Sequence, residues 1–162
     1  YFVTASRMWF GEPDTLSYKG IESDSSILEN MGDETNVVKW IDENITKDEV
    51  ILTADGLSYT DYCVIPALTG HPTVIGWQTH EWLWHNSYDY VKERQQDVSS
   101  LYSGLSKTDR LNLIDKYDIS YIYVGAKERE KYSDIQIDMI LECGDLVYTQ
   151  NNGYYFLVKV AE

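Results

Sequence analysis

Cysteine, proline and positive charge are all scarce in this chain. Its 162 residues contain two cysteines, three prolines, and 13 lysines and arginines against 27 aspartates and glutamates. Two distant thiols, Cys63 and Cys143, are too few for a disulfide framework and lack the paired spacing of a zinc site, so we expect free or buried thiols. The net charge of -14 opposes binding to phosphate backbones, which excludes nucleic acid as a partner.

Long apolar runs are also missing. No stretch approaches the roughly 20 apolar residues of a membrane span, and no charged and then apolar leader opens the chain. The chain begins Tyr-Phe-Val without an initiator methionine, so we read it as a fragment of a longer protein. An apolar content of 43% and an aromatic content of 14% are typical of an ordered domain. We expect one soluble domain over residues 1–162, with an irregular entry segment (1–32) and an α/β core (33–162).

Hydrophobic periodicity predicts the elements of that core. Helical spacing occurs at 33–44, 88–102, 107–117 and 134–142, whereas short apolar runs at 49–53, 73–75 and 119–124 are typical of strands covered on both faces. In the second of the long helices, Leu111, Leu113 and Ile114 are expected to point inward. The segments 145–149 and 154–160 flank Asn151-Asn152-Gly153, a favoured tight turn.

Apolar strands that alternate with helices predict the fold class. We expect a three-layer α/β fold, with a mostly parallel sheet, helices on both faces and a C-terminal antiparallel hairpin. Ligands of such sheets gather beyond the carboxyl ends of the strands. Here those ends lead into residues 54–62, 76–85 and 125–129.

The stretch from Thr73 to His85 is unusually aromatic, with three tryptophans, two histidines and a glutamate in thirteen positions. Trp82 and Trp84 fit three interpretations: a platform for a sugar ring, contact with membrane headgroups, or docking onto another part of the parent protein. Trp77 follows a predicted strand and fits core packing as well. The sequence leaves these alternatives open.

Catalytic and metal sites are weakly indicated. His80 and His85 are five residues apart, so on a helix they do not share a face in the way that two zinc ligands four apart do, and we predict no metal. Asp55, Ser58 and His80 are the residue types of a hydrolytic triad, but Ser58 lacks the Gly-x-Ser-x-Gly elbow. Asp55 and Ser58 equally suit a capping turn.

Two charged pairs have the same double interpretation. Arg94 and Asp97 lie three residues apart on one helix, and Glu128 is followed by Arg129. Each pair fits a structural ion pair, and each arginine also suits a phosphate or carboxylate ligand.

Four stretches together resemble a known family: ILTADGLSYTDY, TGHPTVIGWQTHEWLWH, RQQDVSSLYS and LIDKYDISYIYVGAKERE. They look like the C-terminal soluble region of the YYY-domain family of uncharacterised polytopic membrane proteins, over about residues 34 to 132. Cys63-Val64 is a departure, since Gly-Arg is expected after Tyr62, and it removes any role of that arginine. The residues that stand on pattern positions are Asp55, Gly56, Ser58, Tyr59, Tyr62, Thr69, Gly70, Pro72, Gly76, Trp77, His80, Glu81, Trp84, Arg94, Asp97, Tyr102, Tyr117, Tyr123, Gly125, Glu128 and Arg129.

The resemblance implies a parent with many spans, related in architecture to GT-C type glycosyltransferases that use lipid-phosphate-linked sugars. It implies a membrane-attached domain on the extracytoplasmic side, in contact with the transmembrane part of its own parent chain, that helps to bind or position an acceptor or a glycan on a polyprenyl phosphate. The catalytic carboxylates of that class lie in loops between membrane spans, so the isolated domain is expected to be inactive and to need no cofactor. The candidate substrate-binding residues are Asp55, Ser58, Tyr59, Tyr62, Trp77, His80, Glu81, Trp84, Arg94, Asp97, Glu128 and Arg129.

Two further functions are also compatible with the sequence. A structural or docking module without a ligand is favoured if the candidate residues prove buried and bonded to one another. A stand-alone hydrolase or metalloenzyme is favoured if one pocket joins Asp55, Ser58 and His80.

Overall fold

The structure is a computed structural model that describes residues 31–161. From Asp33 onwards these residues form one compact unit. The predicted entry segment lies almost wholly outside the described residues. Between residues 31 and 161, no helix is both long enough and apolar enough to cross a membrane.

Seven helices and four strands make up the described part of the chain. Their order is α1 (Glu34–Asn44), β1 (Val50–Leu52), α2 (Val64–Thr69), α3 (Gln78–His85), α4 (Tyr88–Tyr102), α5 (Lys107–Lys116), β2 (Ile119–Val124), α6 (Ala126–Lys131), α7 (Ile137–Leu141), β3 (Gly144–Gln150) and β4 (Tyr155–Val160).

The strands form one open, mixed sheet in the order β1-β2-β4-β3. Only β1 and β2 are parallel, whereas β4 is antiparallel to both β2 and β3. An α/β fold is thus confirmed, but the prediction of a mostly parallel sheet is wrong. The physical reason is that β4, whose Phe156, Leu157 and Val158 are buried, lies beside β2 in the interior of the sheet. The three-layer arrangement stays a prediction.

The C-terminal hairpin is confirmed. β3 and β4 pair from Gly144 opposite Val160 to Gln150 opposite Tyr155. The turn between them places Asn151, Asn152 and Gly153 at φ values of 52°, 55° and 84°. Asparagine and glycine tolerate this left-handed region best, so the turn sequence fixes the hairpin locally.

The prediction of a strand at 73–75 is wrong, because the structure has no strand there. Val74 and Ile75 are buried, and the segment lies along β1, where the N–H of Ile51 donates to the carbonyl of Pro72 at 3.0 Å. The apolar run therefore signals burial, but not a ladder of hydrogen bonds. The segment covers the outer edge of β1, whose backbone groups would otherwise be open to pairing with another strand.

The long helices follow the sequence pattern closely. α4 has the predicted bounds, and it begins at Ser87, whose hydroxyl accepts a hydrogen bond from the N–H of Tyr90 at 3.2 Å. In α5, Ile114 is buried as predicted, but Leu111 is 39% exposed, so its predicted inward position is wrong.

A buried tyrosine links α4 to the sheet. The Tyr102 hydroxyl lies between the carbonyl oxygens of Leu52 (3.2 Å) and Tyr123 (2.8 Å), at the carboxyl ends of β1 and β2. Its ring stacks on Tyr132, with 4.9 Å between the centroids. This contact places one face of α4 beside the strand ends, where the loops predicted to carry function begin.

Candidate functional site

Asp55 organises the end of β1. Asp55 is 2% exposed, and its carboxylate has three partners. It accepts hydrogen bonds from the Gln95 amide (2.9 Å) and the Tyr132 hydroxyl (2.9 Å), and it pairs with the Lys131 ammonium group. A buried carboxylate is stable only when it is paired and hydrogen-bonded, and Asp55 meets both conditions. It therefore ties the loop after β1 to α4 and α6.

Glu128 is a second buried carboxylate at the same strand ends. It lies in the first turn of α6 and is 2% exposed. Its Oε1 accepts from the N–H of Ala54 at 2.8 Å, and its Oε2 accepts from the N–H of Gly125 at 3.0 Å. Burial raises the pKa of Glu128 to about 7, the nearby carboxylate of Glu34 adds to the rise, and the two N–H donors oppose it. Glu128 thus joins the ends of β1 and β2.

An open groove runs from the loop after β1 along one face of α4. It has a smaller part of about 200 Å³ and a larger part of about 550 Å³, and both parts are lined by Asp55, Gln95 and Lys131. The amides of Gln95 and Gln78 are hydrogen-bonded across it at 3.1 Å. We call this the α4 groove. Its other lining residues are Gly56, Leu57, Tyr62, Lys92, Gln96, Ser99, Ser100 and Tyr132.

Gly56 and Tyr62 shape the near wall of the groove. A Cβ atom on Gly56 would lie 2.3 Å from the Tyr62 ring, so only glycine allows this approach. The backbone carbonyl of Tyr62 accepts a hydrogen bond from the Trp77 indole at 2.8 Å. The loop after β1 is thereby fixed to the start of α3.

Next to the groove lies an aromatic cluster of Tyr59, Trp77, His80 and Trp84. The ring of His80 is 5.3 Å from that of Tyr59, 5.4 Å from Trp77 and 5.8 Å from Trp84, between centroids. Tyr59 is 80% exposed and Trp84 is 77% exposed. Tyr59 also has a φ of 63°, a left-handed conformation that is costly for a tyrosine. Because Trp77 directly precedes the groove residue Gln78, the cluster and the groove are adjacent.

The rest of α3 is also open to solvent. None of its eight residues is buried. Trp82 and Leu83 are exposed, as is Leu57 in the facing loop. Large apolar side chains concentrated in this way typically mark a ligand site or an interface.

The structure brings eight of the predicted site residues into this region. Asp55 and Tyr62 line the groove, and the aromatic cluster supplies Tyr59, Trp77, His80 and Trp84. Ser58 and Glu81 support the backbone there: the Ser58 hydroxyl accepts from the N–H of Thr79 (3.2 Å), and the Glu81 carboxylate accepts from the N–H of Gly76 (3.1 Å).

The arginines and Asp97 have other partners. Arg94 donates to the carbonyl of Val74 at 2.7 Å and lies against the rings of Tyr90 and Tyr117. Asp97 accepts from the Tyr117 hydroxyl at 2.6 Å and pairs with Lys116 at 2.7 Å.

Arg129 bonds to the C-terminal hairpin instead, through the carbonyls of Gly153 and Tyr154, both at 3.0 Å. Its neighbour Glu128, described above, is buried at the strand ends. Arg94, Asp97 and Arg129 are not among the residues that line the groove.

Sequence reasoning missed several groove residues. Lys92, Gln95, Gln96, Ser99 and Ser100 recur at the i, i+3, i+4, i+7, i+8 spacing of one helix face, a signal that the sequence contains. Lys131 and Tyr132 carry no such signal, since their contact with Asp55 spans more than 70 residues.

The arrangement does not support hydrolysis. Asp55 bonds to Gln95, Lys131 and Tyr132, Ser58 bonds to Thr79, and the His80 imidazole bonds to the Tyr59 hydroxyl at 3.1 Å, so no hydrogen bond joins the three candidates. Burial also raises the pKa of Cys63 to about 12, which keeps that thiol protonated at neutral pH. Within residues 31–161, no group of three or more histidine, cysteine, aspartate and glutamate side chains is arranged to hold a metal ion.

Comparison with solved structures shows a likeness at low sequence identity. No protein-family model matches the chain. No curated protein matches it either. Among solved structures, the chain is similar to the C-terminal globular domain of an oligosaccharyltransferase from Archaeoglobus fulgidus, with 11% sequence identity and a TM-score of 0.45. The likeness covers 78% of this chain and 95% of that one.

Proposed function

We propose that this chain is a domain of a larger, membrane-attached, glycosyltransferase-like protein and that the α4 groove binds or positions a saccharide. The observation that carries the proposal is the exposed aromatic cluster directly beside a polar groove. Tyr59 and Trp84 are exposed aromatic side chains, and Gln78, Gln95 and Lys131 supply hydrogen-bond donors and acceptors in the lining of the adjacent groove.

This combination suits the chemistry of a sugar ring. A pyranose has apolar C–H faces and hydroxyl groups around its edge, so an aromatic face can cover the first while amide and charged side chains bond to the second. Binding sites for small molecules combine apolar walls and a few fixed polar groups in this way. The polar groups here are held in place, because Asp55 fixes both Gln95 and Lys131. A preorganised site of this kind loses less entropy when a ligand binds.

The proposal that this domain belongs to a membrane protein is supported by the sequence resemblance to the YYY-domain family. This resemblance supports an extracytoplasmic domain in contact with the membrane part of its own chain, which presents an acceptor or a lipid-linked sugar to catalytic groups located elsewhere. On this proposal the isolated domain binds saccharide and does not transfer it.

Isothermal titration calorimetry with a panel of oligosaccharides and soluble polyprenyl-phosphate sugars tests the proposal. We expect binding by the wild-type domain and a loss of at least tenfold in affinity for Tyr59→Ala, since stacking against this ring supplies much of the contact. Tyr88→Ala is the matched control, because Tyr88 is 61% exposed and makes none of the ring contacts found in the aromatic cluster. No binding by the wild type to any member of the panel would refute the proposal, as would an equal loss for both variants.

A docking function is the second candidate, and the exposure of α3 favours it. Trp82 and Leu83 lie outside the groove lining and face solvent, so they suit contact with the membrane part of the parent. A photo-crosslinkable residue at position 83 of the full-length parent tests this function. Crosslinks within the chain, to its membrane-spanning part, are the expected result, and their absence would count against docking.

A further inference from the structure

We infer that the α4 groove prefers a saccharide bearing an anionic group, a carboxylate as in a uronic acid or a phosphate ester. This inference rests on the proposed saccharide site and specifies its ligand. It is carried by the distribution of charge around α4.

None of the three acidic residues of α4, Asp89, Glu93 and Asp97, is among the residues that line the groove. Glu93 and Asp97, four residues apart, lie on the face that meets α5, where both pair with Lys116 at 2.7 Å. The stripe of α4 that lines the groove holds one lysine, two glutamines and two serines. Asp89, in the first turn of α4, lies three residues before that lysine and does not line the groove. In a chain with twice as many acidic as basic residues, this face of α4 presents no carboxylate to the groove.

The one carboxylate in the groove is already neutralised. Asp55 pairs with Lys131 and accepts two further hydrogen bonds, from Gln95 and Tyr132. Lys92 is different, because its ammonium group has no hydrogen bond or ion pair with any residue in the part of the chain that the structure describes. Asp55, Lys131 and Lys92 together therefore leave one uncompensated positive charge in the groove.

An anionic substituent would complete this set of charges. The Lys92 ammonium group supplies the counter-charge, and the serine hydroxyls and glutamine amides of the same stripe supply uncharged donors. The strongly acidic remainder of the chain would repel such a ligand elsewhere, so the groove is the favoured place for it.

Calorimetry with matched ligands tests the inference. One arm compares a glucuronate-containing trisaccharide with its neutral glucose counterpart, and a second arm compares glucose 1-phosphate with glucose, which separates carboxylate from phosphate. At low salt we expect the anionic member of at least one pair to bind about fivefold more tightly, as one partly exposed ion pair allows. The preference should decrease as the salt concentration rises.

Two lysine variants test whether Lys92 is the source of the preference. Lys92→Gln should remove most of the preference, so that the charged and the neutral member of a pair bind with similar affinity. Lys39→Gln, at an exposed lysine of α1 outside the groove, should keep the preference. Equal binding of charged and neutral ligands, or a preference that survives Lys92→Gln, would overturn the inference while the saccharide site stands. If no saccharide of either kind binds, the proposed function fails and the inference fails with it.

Discussion

Glu128 should make the stability of this domain depend on pH in an unusual direction. Carboxylates paired in a native protein mostly lose their stabilising contribution as the pH falls. Glu128 differs because burial raises the pKa of its carboxyl from 4.5 to about 7 in the folded chain. Between those two values the folded state holds a proton that the unfolded state has released. The contribution of this group to the free energy of unfolding therefore decreases as the pH rises from about 4.5 to about 7.

The size of the effect follows from the same two pKa values. One pKa unit corresponds to about 1.4 kcal/mol, so the gap between 4.5 and about 7 amounts to about 3 kcal/mol. This is an upper figure, because the unfolded chain of a strongly acidic protein also holds protons more tightly. It remains large against the 5 to 15 kcal/mol of total stability that is typical of a domain, as an order of magnitude.

Urea unfolding at half-unit pH steps from 4.5 to 7.5 measures this contribution. Glu128→Gln cannot ionise, so the difference between wild type and variant isolates the proton bound at this side chain. We expect the wild type to lose about 2 to 3 kcal/mol more than the variant over that range. Glu130→Gln, at an exposed glutamate of the same helix, is the control and should follow the wild type. Parallel pH curves for wild type and Glu128→Gln would refute the reasoning.

Three further substitutions test the packing around the site. Gly56→Ala should lower the free energy of unfolding by about 1 to 3 kcal/mol, because the added Cβ meets the Tyr62 ring, and an unchanged urea midpoint would contradict that close approach. Tyr102→Phe should cost about 1 to 3 kcal/mol in thermal unfolding by removing the hydroxyl that links two strand carbonyls, whereas Tyr88→Phe should cost less than about 0.5 kcal/mol; similar values for both would count against the buried link. Trp84→Ala should change stability by no more than about 0.5 kcal/mol, since this side chain is 77% exposed, and a large loss measured by calorimetry would show that it is packed.

Local signals predicted the elements whose structure is decided locally. The i, i+3, i+4 spacing of α4 gave its bounds, and Asn151-Asn152-Gly153 gave the hairpin, because periodicity and turn chemistry act within a few residues. Ile119–Val124 was a clear strand for the same reason.

Long-range choices could not be predicted in this way. The sequence does not show that β4 lies between β2 and β3, since hydrogen-bonding partners of a strand are chosen among distant segments. Residues 73–75 are as apolar as a buried strand, but they pack beside β1 without a ladder of backbone hydrogen bonds. An apolar run predicts burial, and it does not by itself predict strand pairing. Helix α2 was not predicted, because its six residues are too few to show helical periodicity. It contains Pro66 near its start, where proline is tolerated.

In the candidate site too, local features were predicted from the sequence and long-range contacts were not. The sequence placed Asp55 and Glu128 at strand ends and identified the tryptophan-rich stretch. It did not show that Asp55 is held by side chains 40 and more residues away, nor that Arg94 packs between two tyrosines. Those contacts depend on tertiary packing, which decides whether a polar side chain supports the backbone or faces a ligand.

The central claim, that the aromatic cluster and the α4 groove form one saccharide site, is tested most directly by an amide chemical-shift titration of the labelled domain with oligosaccharides. The account predicts shifts that saturate together in three places: residues 54–62, residues 76–85 and the groove face of α4 that includes Gln95 and Ser99. Shifts confined to other parts of the molecule, such as α1, or no shifts with any saccharide, would contradict it.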